Sequence, residues 1–377
     1  MIYLDHNATA PLRPGVFAAM RPWFEEHPGN ANSVHRAGRL ARQAVEQARE
    51  QVAALLGAQP GEVLFTSGAT ESINWALQGL RPGAPRCVGA SEHDAVLQAL
   101  PQARRLAVDR QGLIDPAALP ETLAAQGEAG LLSLMWANNE TGVLQDMPAI
   151  AAAAAAAGWW LHSDATQAVG RLSMDFAASG LVALSCSAHK LGGPKGVGAL
   201  LLRGGHAIER GQRGGSHERG LRAGTLNVPG IVGFGAACAA AGEVLADEGA
   251  RLRRWREEFE AQLLASIPGS EVFGAQAPRL PNTSFFALPG WHSEALLIAL
   301  DKRGFALASG SACHSGSDTP SHVLAAMGVP TPRALGAVRM SLGHDSREAD
   351  LQALLAALQE LAREAAGGGR FAGLLNG

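Results

Sequence analysis

The sequence is poor in cysteine, in runs of like charge and in basic excess, and each shortage excludes a class of protein. Its four cysteines, Cys87, Cys186, Cys238 and Cys313, lack the C-x-x-C spacing typical of zinc sites and disulfide frameworks. A formal charge of -3 and a pI near 6.5 leave little positive charge for binding a phosphate backbone. We therefore expect no metal site and no nucleic-acid partner.

Targeting signals are lacking as well. The beginning, MIYLDHNATAPLRP, has neither the basic nor the apolar region of a signal peptide, and no apolar stretch is expected to reach membrane-spanning length. These shortages predict a cytoplasmic protein with no membrane contact.

The chain is long: 377 residues that are 47% hydrophobic exceed what one ordinary hydrophobic core accommodates. Two domains are therefore expected.

Short apolar runs alternate with helical patterns between about residues 60 and 203, which is typical of βαβ units and a mainly parallel sheet. Ile150 followed by an alanine run at 151–157 predicts a buried helix, because alanine has the highest helix propensity. The predicted strands are 63–65, 86–90, 131–136, 159–163, 181–185 and 197–202.

A second unit is predicted towards the end of the chain. A long charged helix should span about 243–265, and Pro268 and Gly269 then break it. Strands at 282–288, 305–308 and 337–342, with helices from Ser293 and over 346–365, predict a smaller α+β unit. The fold class is therefore α/β, with a large domain over 13–255 and a small α+β domain formed by 1–12 and 256–377.

The stretch SCSAHKLGGPKG places Lys190 just after an apolar strand and before a Gly/Pro loop. Open α/β sheets bind ligands at the carboxyl ends of their strands, so Lys190 would lie at such a crevice. A partly desolvated lysine loses its proton more easily and can bind an aldehyde covalently. A lone lysine is more often a solvated loop residue, so Lys190 needs support from other positions.

Two further motifs supply that support. Asp164 follows another apolar strand at the same predicted edge, although an aspartate there is most often a turn or cap residue. The run FTSGATES is a strand, a small-residue loop and a helix start, where backbone N–H groups and the hydroxyl of Thr70 would bind a phosphate. A capping box explains that run equally well by itself.

In combination, the motifs resemble those of the cysteine desulfurases, which are fold type I pyridoxal-phosphate (PLP) enzymes of the aminotransferase class V group. That resemblance implies a large PLP-binding domain with a mainly parallel seven-stranded sheet flanked by helices. It covers nearly the whole chain, through residues 3–9, 29–30, 66–72, 91–93, 138–142, 164–167, 189–190, 219–225, 309–313 and 339–343.

The resemblance implies roles around the cofactor. Lys190 would carry PLP, Asp164 would pair with its pyridine nitrogen and Gln167 would reach its phenolic oxygen. His93 would stack on the ring and move a proton, although it could instead be a helix-start histidine with no role. The phosphate would be held by Gly68, Ala69, Thr70, Ser187 and His189, and by Thr225 from the second subunit of a homodimer.

Asn139 and Arg339 match positions that hold the substrate, and Asn139 would contact the cofactor as well. A guanidinium suits a carboxylate because it can donate two parallel hydrogen bonds. Arg339 could alternatively form a structural ion pair. One departure lies next to the lysine, where Gly192 stands in place of the tyrosine that many relatives have. A second is the short, glycine-rich end of the chain.

Cys313 distinguishes the reaction, because it sits in a run of small and polar residues that we expect to be exposed. The resemblance implies conversion of L-cysteine to L-alanine, with a persulfide forming on Cys313. The segment after Cys313 resembles the long-loop subgroup, so an iron–sulfur scaffold or thiolation protein is the expected sulfur acceptor. A selenocysteine lyase or another class V aminotransferase is the alternative, and a non-catalytic sulfur carrier is a further one.

Overall fold

The computed structural model describes residues 1–310 and 319–366, and a seven-stranded sheet dominates its larger part. With strands numbered in chain order, the sheet contains β2 (Val63–Thr66), β3 (Arg86–Gly89), β4 (Arg104–Leu106), β5 (Leu131–Ser133), β6 (Trp160–Asp164), β7 (Ala183–Ser187) and β8 (Gly198–Leu202). The spatial order is β2-β8-β7-β6-β5-β3-β4.

All neighbours in this sheet are parallel except β8, which is antiparallel to both β7 and β2. The mainly parallel α/β sheet predicted from the sequence is confirmed. Most strands are buried along their length, which is why they read as continuous apolar runs. The sequence missed β4, because this edge strand reads Arg-Arg-Leu and buries only Leu106.

Helices cover both faces of the sheet. They are α1 (Val16–Met20), α2 (Pro22–Glu25), α3 (Arg36–Leu56), α4 (Ala69–Gly79), α5 (Asp94–Leu97), α6 (Leu119–Ala124), α7 (Met147–Ala156) and α8 (Val228–Ser266). Of these, α7 and α8 differ from their predictions. The alanine-rich α7 is buried on one face only, through Met147, Ile150, Ala151 and Ala154. A run of one residue type has no periodicity from which that face could have been predicted.

Helix α8 begins 15 residues earlier than predicted, because its first half is apolar and small rather than charged. That half is long and apolar enough to span a membrane, contrary to the expectation from the sequence. Half of this apolar segment is buried inside the protein, where Phe234 and Cys238 belong to the main core. This pattern is typical of a core helix.

The smaller α+β part contains a four-stranded antiparallel sheet in the order β12-β13-β10-β9 and a parallel pair, β1 with β11. Its core joins Leu4, Phe259 and Phe286. The predicted boundary between residues 255 and 256 lies inside continuous α8. The elements are β1 (Ile2–Tyr3), β9 (Glu271–Val272), β10 (Thr283–Ala287), α9 (Ser293–Asp301), β11 (Phe305–Ala306), β12 (Ala308–Ser309), α10 (His322–Ala326), α11 (Thr331–Ala334), β13 (Ala337–Ser341) and α12 (Glu348–Ala366).

Candidate active site

A cavity of about 670 Å³ opens at the carboxyl edge of the large sheet. Strands β2, β3, β5, β6 and β7 contribute their last residue or residues that follow it. The predicted site residues that line the cavity are Gly68, Ala69, Thr70, His93, Asn139, Asp164, Gln167, Ser187, His189, Lys190 and Arg339.

Lys190 follows β7 in a short 3₁₀ turn, and its amine points at the N-terminal segment. The Nζ atom donates to the carbonyl oxygens of Asn7 at 2.5 Å and Ala8 at 2.8 Å. Burial, assisted by the nearby Arg339 and Arg171 cations, lowers the pKa of Lys190 to about 7. A large share of the amine is therefore neutral near pH 7, which nucleophilic attack on an aldehyde requires.

Asp164 is the last residue of β6, and its side chain is almost completely buried. Its Oδ1 atom accepts a hydrogen bond from the Thr166 amide at 2.9 Å, so the turn role weighed from the sequence is real. The residue nonetheless faces the cavity. Beside it, the buried Thr166 Oγ1 has no hydrogen-bond partner among the described residues. Such an orphaned group is typical of a site that binds a polar ligand.

The start of α4 lines the cavity as well. Gly68 is the N-cap residue and has no side chain to cover the first-turn amides, and Thr70 adds a hydroxyl. The acidic residue of this turn, Glu71, also lines the cavity, where it pairs with Arg222 at 2.8 Å and accepts a hydrogen bond from the Ser67 amide. The Glu71 carboxylate thus caps the Ser67 amide, while the first-turn amides of α4 have no side-chain cap at Gly68.

Two histidines flank this region. His93 is the N-cap of α5, and its Nδ1 atom accepts from the Ala95 amide at 3.0 Å, so the proton of the neutral ring lies on Nε2. The helix-start role and the cavity position thus coexist. For His189, burial together with the Lys190 and Lys195 charges lowers the pKa to about 4, so this ring is neutral at pH 7.

Gln167 is oriented by hydrogen bonds at both ends of its amide. Its Nε2 donates to the Asn7 oxygen at 3.0 Å, and Arg171 Nη1 donates to its Oε1. Asn7 thereby connects Gln167 with Lys190 through one carbonyl oxygen. The sequence included Asn7 in a motif but gave it no role.

Arg339 lies on β13 with only 3% of its side chain exposed, and it pairs with Asp5 at 2.6 Å. Its Nη1 donates to the Asn139 carbonyl oxygen at 3.0 Å. The structural ion pair considered from the sequence therefore exists. The Nε atom is buried without a partner among the described residues, and the side chain lines the cavity. A donor thus remains for an anionic ligand.

One predicted site residue is not brought to this cavity. Thr225 is exposed and does not line the cavity, and Cys313 lies outside the described residues.

Sequence reasoning also missed residues that line the cavity. Glu140 accepts a hydrogen bond from Ser321, and burial raises the pKa of Glu140 to about 7. His322 also lines the cavity, and its only signal in the sequence was proximity to Cys313.

Comparisons with known proteins agree with this geometry. The family model described as aminotransferase class-V matches residues 2–354. An "IscS-like cysteine desulfurase" of Mycobacterium tuberculosis is 42% identical over 375 residues, covering 95% of each chain. A "cysteine desulfurase" of Rhodobacter capsulatus is 43% identical and covers 96% of this chain and 97% of its own. A solved NifS-like protein from Rickettsia africae superimposes with a TM-score of 0.90 at 32% identity, covering 96% of this chain and 99% of its own.

The cavity fits the cofactor of this family. It offers a buried amine with a lowered pKa, a buried carboxylate and a helix start without a side-chain cap. Among the described residues, Thr166 Oγ1 and Arg339 Nε are buried polar atoms without a partner, and both side chains line the cavity. An aldehyde, a pyridine nitrogen and a phosphate require these three groups. The chain belongs to the aminotransferase class-V family and, within it, to the pyridoxal-phosphate-dependent cysteine desulfurases.

Proposed function

We propose that Lys190 carries pyridoxal phosphate and that Cys313 receives the sulfur when L-cysteine is converted to L-alanine. The observation that carries the proposal is the convergence of Lys190, Asp164 and Thr70 on one cavity. Had these groups lined different surfaces, no single aromatic aldehyde could meet all three. When bound, the cofactor supplies an electron sink for the carbanion that forms at the substrate Cα.

Different residues of the cavity would bind the phosphate, the ring and the substrate. The phosphate would be held by the first-turn amides of α4, by Thr70 and by Ser187 and His189, with Asp164 at the ring nitrogen. His93 would stack on the ring. Arg339 and Asn139 would hold the substrate carboxylate, and the orphaned Nε of Arg339 supports this placement.

Lys190 would also move protons. With a pKa near 7, its amine is neutral often enough to accept the Cα proton of cysteine and can then return it at another atom. Its position beside the Asn7 and Ala8 carbonyl oxygens gives the ammonium form hydrogen-bond acceptors after the transfer. The same side chain can therefore act as base and acid.

The sulfur step would be a nucleophilic substitution at sulfur by Cys313. The Cys313 thiolate attacks the substrate sulfur, the S–S bond forms and the Cβ–S bond breaks. The electron pair of the broken bond remains on carbon, which takes up a proton and ends as alanine. Cysteine and the Cys313 thiol thus give alanine and a Cys313 persulfide, with all atoms accounted for.

The test is to incubate the purified protein with cysteine and locate added sulfur by mass spectrometry of peptides. We expect a gain of one sulfur on the Cys313 peptide, with alanine produced in step. The buried Cys186 is the matched control within the same digest, since burial raises the pKa of its thiol to about 12. Full sulfide release by a Cys313→Ala variant would refute the assignment and favour another class V reaction.

A homodimer is part of the proposal, with Thr225 reaching the phosphate of the partner's site. Thr225 is exposed, and the N-terminal region exposes apolar side chains that a second copy would cover. Mixing Lys190→Ala with Thr225→Val subunits tests this, because each mixed dimer would contain one intact site. Mixing should restore activity, and its failure to do so would count against a shared site. The exposed apolar residues are Leu12, Phe17, Phe24, Val34 and Leu40.

The persulfide sulfur must pass to an acceptor. We propose that the acceptor is a thiol on an iron–sulfur scaffold or thiolation protein in the cytoplasm. The IscS-like name of the Mycobacterium tuberculosis relative supports this choice. On mixing with such a scaffold, we expect Cys313 to lose its added sulfur and the scaffold to gain an equal amount.

The division into a large domain over 13–255 and a small domain formed by 1–12 and 256–377 also stays a proposal, which limited proteolysis would test.

A further inference from the structure

The backbone from Lys190 to Gly192 is held by two arginines, Arg13 and Arg171. Three consecutive carbonyl oxygens, at residues 190, 191 and 192, each accept a hydrogen bond from one of them. Arg171 Nη2 donates to the Lys190 oxygen at 3.2 Å. Arg13 donates twice, from Nε to the Leu191 oxygen at 2.9 Å and from its backbone N to the Gly192 oxygen at 2.8 Å.

Arg13 is itself fixed on its other side. It is 7% exposed, and its two Nη atoms donate to the two carboxylate oxygens of Glu248 on α8, at 2.9 and 2.7 Å. A bidentate pair of this kind sets the plane of the guanidinium as well as its position. The lysine turn is therefore tied through Arg13 to the longest helix in the described part of the chain.

Gly192 is the residue that permits this contact. Its φ of +89° is a conformation that side chains with a Cβ rarely adopt. A Cβ atom at this position would also lie 2.6 Å from Cγ of Arg13, closer than carbon atoms can approach. The glycine at this position therefore leaves the space that Arg13 occupies.

Arg171 forms the other half of the arrangement. Its Nη1 donates to the Gln167 backbone oxygen at 2.8 Å and to the Gln167 side chain, and its Nη2 also reaches the His6 oxygen at 3.3 Å. All four acceptors are carbonyl oxygens, so no hydrogen-bonded carboxylate neutralises this cation among the described residues. Four charged side chains act on the Lys190 amine: the cations Arg339 and Arg171 and the carboxylates Asp5 and Asp164.

We propose that Arg13 and Arg171 are positioning residues for the reaction, which fix the backbone from Lys190 to Gly192 and thereby aim the Lys190 amine into the cavity. The proposal rests on the role of Lys190 proposed above. The two arginines differ in one respect. The charge of Arg13 is balanced by Glu248, whereas that of Arg171 also disfavours a proton on Lys190.

The experiment compares Arg13→Lys and Arg171→Gln in the full chain. A lysine at position 13 keeps the charge facing Glu248 but cannot also donate from the place of Nε. Three quantities are measured: the rate at which the apoprotein captures pyridoxal phosphate covalently, the pH profile of acylation of Lys190 in the apoprotein, and kcat and KM for cysteine.

For Arg13→Lys we expect capture rate and kcat to fall about tenfold or more, with the KM for cysteine and the midpoint of the acylation profile unchanged, because only the direction of the amine changes. For Arg171→Gln we expect the same loss together with a midpoint at higher pH. Wild-type capture rate and kcat in both variants would overturn the proposal.

Arg203→Met is the matched control, because Arg203 also donates to three backbone carbonyl oxygens but lies at the opposite edge of the sheet, after β8. It should lower thermal stability and leave all three quantities at the wild-type level. An equal loss of capture in Arg203→Met would show that any such arginine matters, and the positioning role would be wrong. Covalent capture by Lys190→Ala would instead refute the role of Lys190 and not the contacts of the arginines.

Discussion

The lowered proton affinity of Lys190 can be tested in the apoprotein without any turnover. The sequence has only three lysines, Lys190, Lys195 and Lys302, so acylation at each one can be followed separately by peptide mass spectrometry. Only the neutral amine reacts with an acylating reagent. The extent of acylation against pH therefore reports the proton equilibrium of each amine directly.

The magnitude follows from the pKa of about 7 that burial and the two nearby arginines give Lys190. At pH 8, an amine with that pKa is about 90% neutral, whereas a lysine with the ordinary pKa of about 10.4 is about 0.4% neutral. The neutral fraction at Lys190 should therefore exceed the ordinary one by about two hundredfold. Limited access to the cavity lowers the rate at every pH but leaves the midpoint of the profile in place.

The assay uses brief exposure to a small acylating reagent between pH 5 and 11, with exposed Lys302 as the internal reference. We expect the Lys190 profile to reach half its maximum near pH 7, and bound pyridoxal phosphate to protect the residue. A half-maximum near pH 10 would refute the reasoning, since the cavity would then not favour the neutral amine.

Three further predictions concern the scaffold. Arg49→Met should lower the free energy of unfolding by about 3–5 kcal/mol in denaturant titrations, because it leaves the Glu218 carboxylate buried without its bidentate partner. Adding Glu218→Gln to this variant should restore part of the lost free energy. Burial lowers the pKa of His162 to about 3, so the unfolded chain binds a proton that the folded chain does not as pH falls below about 6.5. Stability should therefore be about 2 kcal/mol lower at pH 5 than at pH 8 through this group, and this part should disappear in His162→Gln. Gly343→Ala should lower the melting temperature, because its Cβ would overlap the buried His6 ring; an unchanged melting temperature would contradict that packing.

The chemistry of the site was largely predictable from the sequence, because the short motifs around Thr70, Asp164 and Lys190 each follow a strand. Residues that follow parallel strands meet at one edge of a sheet, so linear order alone implied their proximity. Helix α8 and the alanine-rich α7 were less predictable. Their burial depends on which neighbours cover them, and small apolar residues give little periodic signal.

Local strand–loop–helix patterns were enough to predict the family, the α/β architecture and many of the residues that line the cavity. Only the tertiary structure showed that Arg339 pairs with Asp5, that Asn7 joins Lys190 to Gln167, and that the lysine turn is held by two arginines. These contacts join residues up to 334 positions apart. Such pairs leave no pattern in linear order, because nothing in the local conformation of one partner constrains the other before the chain folds.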